Sequence, residues 1–420
     1  MITRPIRPLA ALAAAAMLLA GCQSGGAEEA GHEDEHGHAE EHEHGEEGHA
    51  DAEEVDAPQP RLVATYDGGL LTLDAQTLEV LDDTPLDGFI RVNPAGDGRH
   101  VFVSVPEGFQ LFDAGVWTEA HGDHGHSYAG DPALTDTVYE GDTPGHVVRH
   151  AGKTVLFSDG DGKIQIFDSE SFLEGAPEPE VQETEEPHHG VAVELENGEL
   201  LYTIGNEEER TGALVVDENG EEIARSEECP GVHGEAAAQD EAIVVGCQDG
   251  ILIYQDGEFT KVDAPDSYGR IGNQAGSDES PVVLGDYKVD EDADLERPER
   301  VSLTNTETGE LTLVDLGTSY SFRSLGRGPD GEGLVLGTDG SLHVIDVEAG
   351  EVTGSIPVTE AWEEPMEWQQ PRPTLFVQDG LAYVSEPASQ ELHIVDLASG
   401  EVTESAELPQ ATNELTGVTG

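Results

Sequence analysis

A chain of 420 residues with 89 Asp and Glu against 18 Lys and Arg carries a formal net charge of −71. That balance excludes nucleic-acid binding, because phosphate contacts are made by Lys and Arg. The acid is spread over the whole length, which favours adaptation of the surface to a salty medium, with a field that concentrates cations as the alternative.

The first element is a signal. Arg4 and Arg7 precede an apolar run over residues 9–20, which ends in Leu19-Ala20-Gly21-Cys22. A basic start, a run too short to span a bilayer and small residues before a cysteine form a lipoprotein processing pattern. Residues 1–21 are expected to be removed, leaving Cys22 lipidated. The mature protein is then exported and held at the outer face of the cell membrane by its lipid alone.

Residues 22–60 contain Gly, Ala, Glu, Asp and His with almost no large apolar side chain. They cannot bury enough surface to offset chain entropy, so a disordered tether is expected. Six of the 17 histidines lie in it: His32, His36, His38, His42, His44 and His49. Interleaved with carboxylates, they suit weak, fast-exchanging zinc binding.

From 61 to 420 short runs of Val, Leu, Ile and Phe alternate with Gly, Asp, Asn and Pro turns, an all-β pattern. Residues 341–346 and 391–396 echo one another, each a strand ending in Asp before a tight turn and another strand. Weaker echoes fall at 70–74, 163–168 and 311–315. A repeat of this kind predicts a single β-propeller over 61–420. Strand groups begin near Phe89, His146, His188, His233, Ile271, Phe322 and Pro373. The group at 61–81 lacks one strand, which residues 415–419 can supply, closing the ring. Eight blades are favoured, with seven as the alternative.

Two further groups of histidines carry the chemistry. His121, Asp123, His124 and His126 sit in a polar segment expected to be a long loop between the second and third blades; their spacing lets two imidazoles reach one ion. His146 follows Pro144-Gly145, His188 and His189 follow Pro187, and His233 follows Pro230-Gly231-Val232. Each begins a blade, so three consecutive blades are expected to project imidazole toward one channel mouth. A tetrahedral zinc site is expected there from His146, His233 and one of His188 or His189, with a fourth ligand from the 121–126 loop. His343 and His393 belong to the repeat itself, and His100 and His150 are expected to be solvated beside turns.

Cys229 and Cys247 are the cysteines left once Cys22 carries lipid. In an exported chain they are expected to form a disulfide worth about 3 kcal/mol, their spacing being unlike that of a metal thiolate pair. Of three methionines, Met1 and Met17 leave with the signal, so copper(I) lacks its soft ligands; zinc fits best, then nickel and copper(II). There is no nucleophile elbow, phosphate loop or dinucleotide fingerprint, and a non-catalytic role is expected. Two alternatives stay open: a metal-dependent hydrolase or lyase with Glu235 as base, and a propeller scaffold with structural zinc.

The 121–128 segment, Pro144-Gly145-His146, Pro187-His188-His189-Gly190 and the cysteine-flanked Pro230-Gly231-Val232-His233-Gly234-Glu235 together resemble zinc metallochaperones of the AztD type. The resemblance runs from about residue 61 to the end. It implies an exported β-propeller that hands zinc to the solute-binding protein of a zinc ABC transporter. The His-rich tether matches the family in kind. The lipoprotein signal and the excess of acid are departures from it, and the chain is expected to act as a monomer.

Overall fold

The computed structural model describes residues 52–122 and 124–420. Cys22, the six tether histidines and Asp123 lie outside the described residues. The regular elements among the described residues are all strands except two 3-10 turns, Ser169–Glu174 and Gln239–Glu241.

The unit of construction is an antiparallel meander of four strands. Pro144–His150, Lys153–Ser158, Lys163–Asp168 and Glu180–Glu183 pair in chain order. The same order recurs from His233–Ala238 to Glu258–Asp263, from Tyr320–Arg327 to Glu351–Pro357 and from Thr374–Gln378 to Glu401–Glu407. In one sheet the first position is filled from the far end of the chain: Thr412–Val418 pairs with Arg61–Tyr66, which leads to Gly69–Asp74 and Val80–Pro85. Repeated meanders of this form are the architecture of a β-propeller.

Burial follows position in the meander. Middle strands such as Lys153–Ser158 and Ala242–Cys247 are buried on both faces, because neighbouring sheets pack on either side. Outer strands such as Val80–Pro85 alternate half-buried and exposed residues. The Asp that ends many strands has a local task. The Asp74 carboxylate accepts the N–H groups of Gln76 and Thr77, and Asp346 does the same for Glu348 and Ala349. These Asx turns reverse the chain into the next strand.

One apolar core cluster positions the site. Val148, Val191, Val193, Val232, Ile243 and Cys247 pack together, joining the three successive sheets that follow His146, His189 and His233. Within it Cys229 and Cys247 form a disulfide.

Three expectations are corrected here. Residues 53–55, assigned by composition to the tether, form the strand Glu53–Val55 against His124–Ala129. The 121–126 segment is not a long loop but the tip of a hairpin, Val116–His121 with His124–Ala129, in a three-stranded sheet. His100 is not solvated: it is buried, with Nδ1 2.5 Å from Asp97 Oδ2, and His150 Nε2 lies 3.0 Å from Glu241 Oε1.

Candidate metal centre

Both histidine-bearing first strands are bulged at the histidine. The register of Pro144–His150 against Lys153–Ser158 shifts between Pro144 and His146. That of His233–Ala238 against Ala242–Cys247 shifts between His233 and Glu235. A bulge re-aims a side chain out of the alternation of the strand. Glycine makes each bulge possible. Gly234 has φ +70°, and a Cβ on Gly145 would lie 2.2 Å from Asp159 Oδ1. His189 comes just before the strand Ala192–Glu194.

These devices bring His146, His189 and His233 together. Ring centroids are 5.0 Å apart for His146–His189, 5.0 Å for His189–His233 and 6.0 Å for His146–His233. Asp159 joins them, its carboxylate lying within 4.8 Å of the ligand nitrogens of His146 and His189.

Hydrogen bonds fix which nitrogens remain available. His189 Nδ1 donates to Asp159 Oδ2 at 2.6 Å, and His233 Nδ1 donates to the Gly272 carbonyl at 2.5 Å. Carboxylate and carbonyl oxygens only accept here, so in each neutral ring the proton is on Nδ1 and Nε2 keeps its lone pair. The two Nε2 atoms face each other at 3.1 Å. Two lone pairs at that distance repel unless a cation lies between them. Two nitrogens bound at 2.0–2.1 Å to one tetrahedral zinc are about 3.3 Å apart. His146 Nδ1 is buried without a hydrogen-bond partner, an orphan that a metal ion would satisfy.

Further groups hold the ligands. Asp286 accepts the N–H of Gly272 at 2.6 Å, steadying the carbonyl to which His233 donates. The Cys229–Cys247 bridge ties the segment entering His233 to the strand that pairs with it. Burial, then the charges of His189 and His233, holds His146 well below the usual imidazole range. Burial takes His233 down to about 3, opposed by its bond to the Gly272 carbonyl. Both rings are therefore neutral and competent as ligands at neutral pH.

His188 is a packing residue, which corrects its place among the ligand candidates. It is buried, with Nδ1 2.9 Å from the Glu186 carbonyl and Nε2 3.1 Å from Thr203 Oγ1. Of the pair, His189 alone turns toward His146 and His233. Asp159 was missed from the sequence because it sits in Ser158-Asp159-Gly160-Asp161-Gly162, which reads as a turn.

The hairpin histidines form a separate group. His121, His124 and His126 have ring centroids 5.0–5.7 Å apart, with ligand nitrogens within 4.8 Å of one another. His126 Nδ1 lies 2.6 Å from Glu54 Oε1. The fourth ligand expected from this segment is not gathered with the triad; the hairpin holds a trio of its own.

Glu235 serves the triad poorly as a base. It lines a cavity of about 570 Å³ with Val147, Arg149, His150 and Gln274, and none of the three clustered imidazoles is in that wall. Burial pushes its carboxyl up to about 8, so it is protonated at neutral pH.

No protein-family model matches the chain. A sequence relative is the zinc chaperone AztD of Citrobacter koseri, 28% identical over 290 residues, 66% of each chain. The crystal structure of Citrobacter koseri AztD superposes with a TM-score of 0.73 at 25% identity, covering 87% of this chain and 99% of that one. The chain resembles AztD in sequence and in fold. Apo AztD gives a TM-score of 0.72 at 24% identity, over 86% of this chain and 98% of that one. The dihydro-heme d1 dehydrogenase NirN shares the fold alone, with a TM-score of 0.53 at 9% identity over 86% of this chain and 75% of its own. The sequence match to AztD spans about two thirds of that relative's length.

Proposed function

We propose that the protein is an exported zinc metallochaperone, an eight-bladed propeller closed by its C-terminal strand, that takes up zinc on His146, His189 and His233. The reading rests on one observation above the others: two imidazoles, each fixed with its proton on Nδ1, oppose their Nε2 lone pairs at 3.1 Å beside a third imidazole with an orphaned nitrogen. The likeness to the zinc chaperone AztD supports it. The pairing of Thr412–Val418 with Arg61–Tyr66 supports closure of the ring.

Three imidazoles leave the fourth position of a tetrahedral ion open. An incoming ligand can enter there before any resident ligand leaves, so release proceeds by stepwise exchange rather than by full dissociation. Asp159 acts on the ion through His189, holding the ring in its tautomer. The hairpin trio and the tether histidines serve capture or delivery. The acceptor is the solute-binding protein of a zinc ABC transporter, met by a monomer tethered through lipid on Cys22 at the outer face of the membrane.

The hydrolase reading is disfavoured by Glu235, protonated and facing another cavity. Zinc affinity, measured by competition with a chromophoric chelator, tests the assignment. H146A and H233A are each expected to weaken tight binding by more than ~100-fold while the β-sheet circular dichroism persists. Unchanged affinity in both variants would overturn it.

A further inference from the structure

The last of the repeated histidines is placed unlike its twin. His343, in the strand Ser341–Asp346, is buried and has Nε2 3.2 Å from Asp339 Oδ1, so the repeat satisfies its own imidazole. His393 holds the matching place in Glu391–Asp396 and is equally buried, 6% exposed. Its Nε2 has no hydrogen-bond partner. Its Nδ1 lies 2.8 Å from Ser405 Oγ on the next strand.

Two carboxylates face that orphaned nitrogen. Glu386 and Glu391 are opposite residues across the hairpin from Leu381–Glu386 to Glu391–Asp396. Glu386 Oε2 lies 3.6 Å from His393 Nε2, beyond hydrogen-bond reach. One oxygen of each glutamate and the imidazole nitrogen lie within 4.8 Å of one another. Glu386 is 8% exposed, and its other oxygen accepts the N–H of Glu360 at 3.1 Å. Two carboxylates this close, one of them buried, repel, and an ion between them removes the repulsion.

We propose that Glu386, Glu391 and His393 form a second divalent-cation site, selective for a first-row ion such as zinc. One imidazole with two carboxylates is a donor set for such ions. Ligand atoms bound at 2.0–2.2 Å to one ion lie roughly 3.3–3.6 Å apart, which the 3.6 Å separation of His393 Nε2 and Glu386 Oε2 matches. With an ion bound at Nε2, the Nδ1 proton would be donated to Ser405 Oγ, 2.8 Å away. Through Glu386 the ion also fixes Glu360, near the start of the 358–373 segment that joins Glu351–Pro357 to Thr374–Gln378. Its role is to hold this segment against the hairpin. It uses no residue of the imidazole triad, so the two sites stand or fall separately.

The test is calorimetric titration of metal-free mature protein with zinc chloride, with a thermal melt of each sample. E391Q alters a half-buried side chain and is the primary variant; H393Q is the second. Each is expected to bind one zinc fewer than wild type and to lose part of the zinc-induced rise in melting temperature. The same difference of one equivalent is expected between H233A and H233A/E391Q. If E391Q matches wild type in stoichiometry and in thermal shift, the site is overturned, and His393 with its glutamates is a packing cluster that binds no metal.

Discussion

His189 shows how one residue is turned into the imidazole cluster while its neighbour is turned away. In the loop segment Pro187-His188-His189 one ring turns to Thr203 and the other to Asp159 and His233. The sequence made the motif legible but not the choice, because direction depends on where the following strand begins. Three variants separate the roles. H189A is expected to lose zinc affinity by more than ~100-fold, and D159N by ~10–100-fold, because the ring remains but its tautomer is no longer enforced. H188Q is expected to leave affinity within a few-fold while destabilising the fold by ~1–3 kcal/mol, the cost of disturbing a buried hydrogen-bonded pair. Chelator competition and urea unfolding read the two effects; a large affinity loss in H188Q would contradict its packing role.

At the scale of elements, bulges and turns decide the site. The strand groups were readable from sequence, since most sheets begin within a few residues of the expected positions, as with Tyr320–Arg327 and Thr374–Gln378. The bulges were not readable, because a register shift is set by pairing with a partner strand. Gly145 gives the sharpest test of the first bulge. A Cβ there would lie 2.2 Å from Asp159 Oδ1, so G145A is expected to displace Asp159 and weaken zinc binding about as much as D159N does. Wild-type affinity in G145A would show that Asp159 does not act through its position.

The hairpin trio has its own root. Arg99 pairs with Asp113 through two contacts of 2.9 and 2.5 Å and stacks 4.1 Å over Trp117, on the strand that carries His121. Burial would raise the Asp113 carboxyl, but its hydrogen bonds and charge attraction to Arg99 outweigh that and hold it below the usual range. A carboxyl lowered on folding stabilises the native state above its unfolded pKa of about 4, and the contribution is lost as pH falls through the folded value. D113N is therefore expected to lower the melting temperature at pH 7, with the difference from wild type shrinking as the pH falls through the lowered Asp113 value. A difference that does not shrink on acidification would contradict this.

For the whole molecule, the charge of −71 sets the conditions under which everything else operates. Repulsion among like charges destabilises a compact state and is screened as the Debye length falls from about 10 Å at 0.1 M salt to about 3 Å at 1 M. The melting temperature is accordingly expected to rise between 0.1 and 1 M sodium chloride; a fall would contradict the reading of the acid as salt adaptation. The fold class was legible from the strand and turn repeat, whereas the candidate ligand set was only partly so, since Asp159 and His233 are separated by 74 positions and are linked through His189, which contacts both. Handover is the most direct test of the central claim that these residues present zinc for exchange. Zinc-loaded protein is mixed with the metal-free solute-binding protein of a zinc ABC transporter and an excess of chelator, and zinc is then assayed in each fraction. Zinc is expected in the acceptor despite the chelator; its complete capture by the chelator would contradict direct transfer.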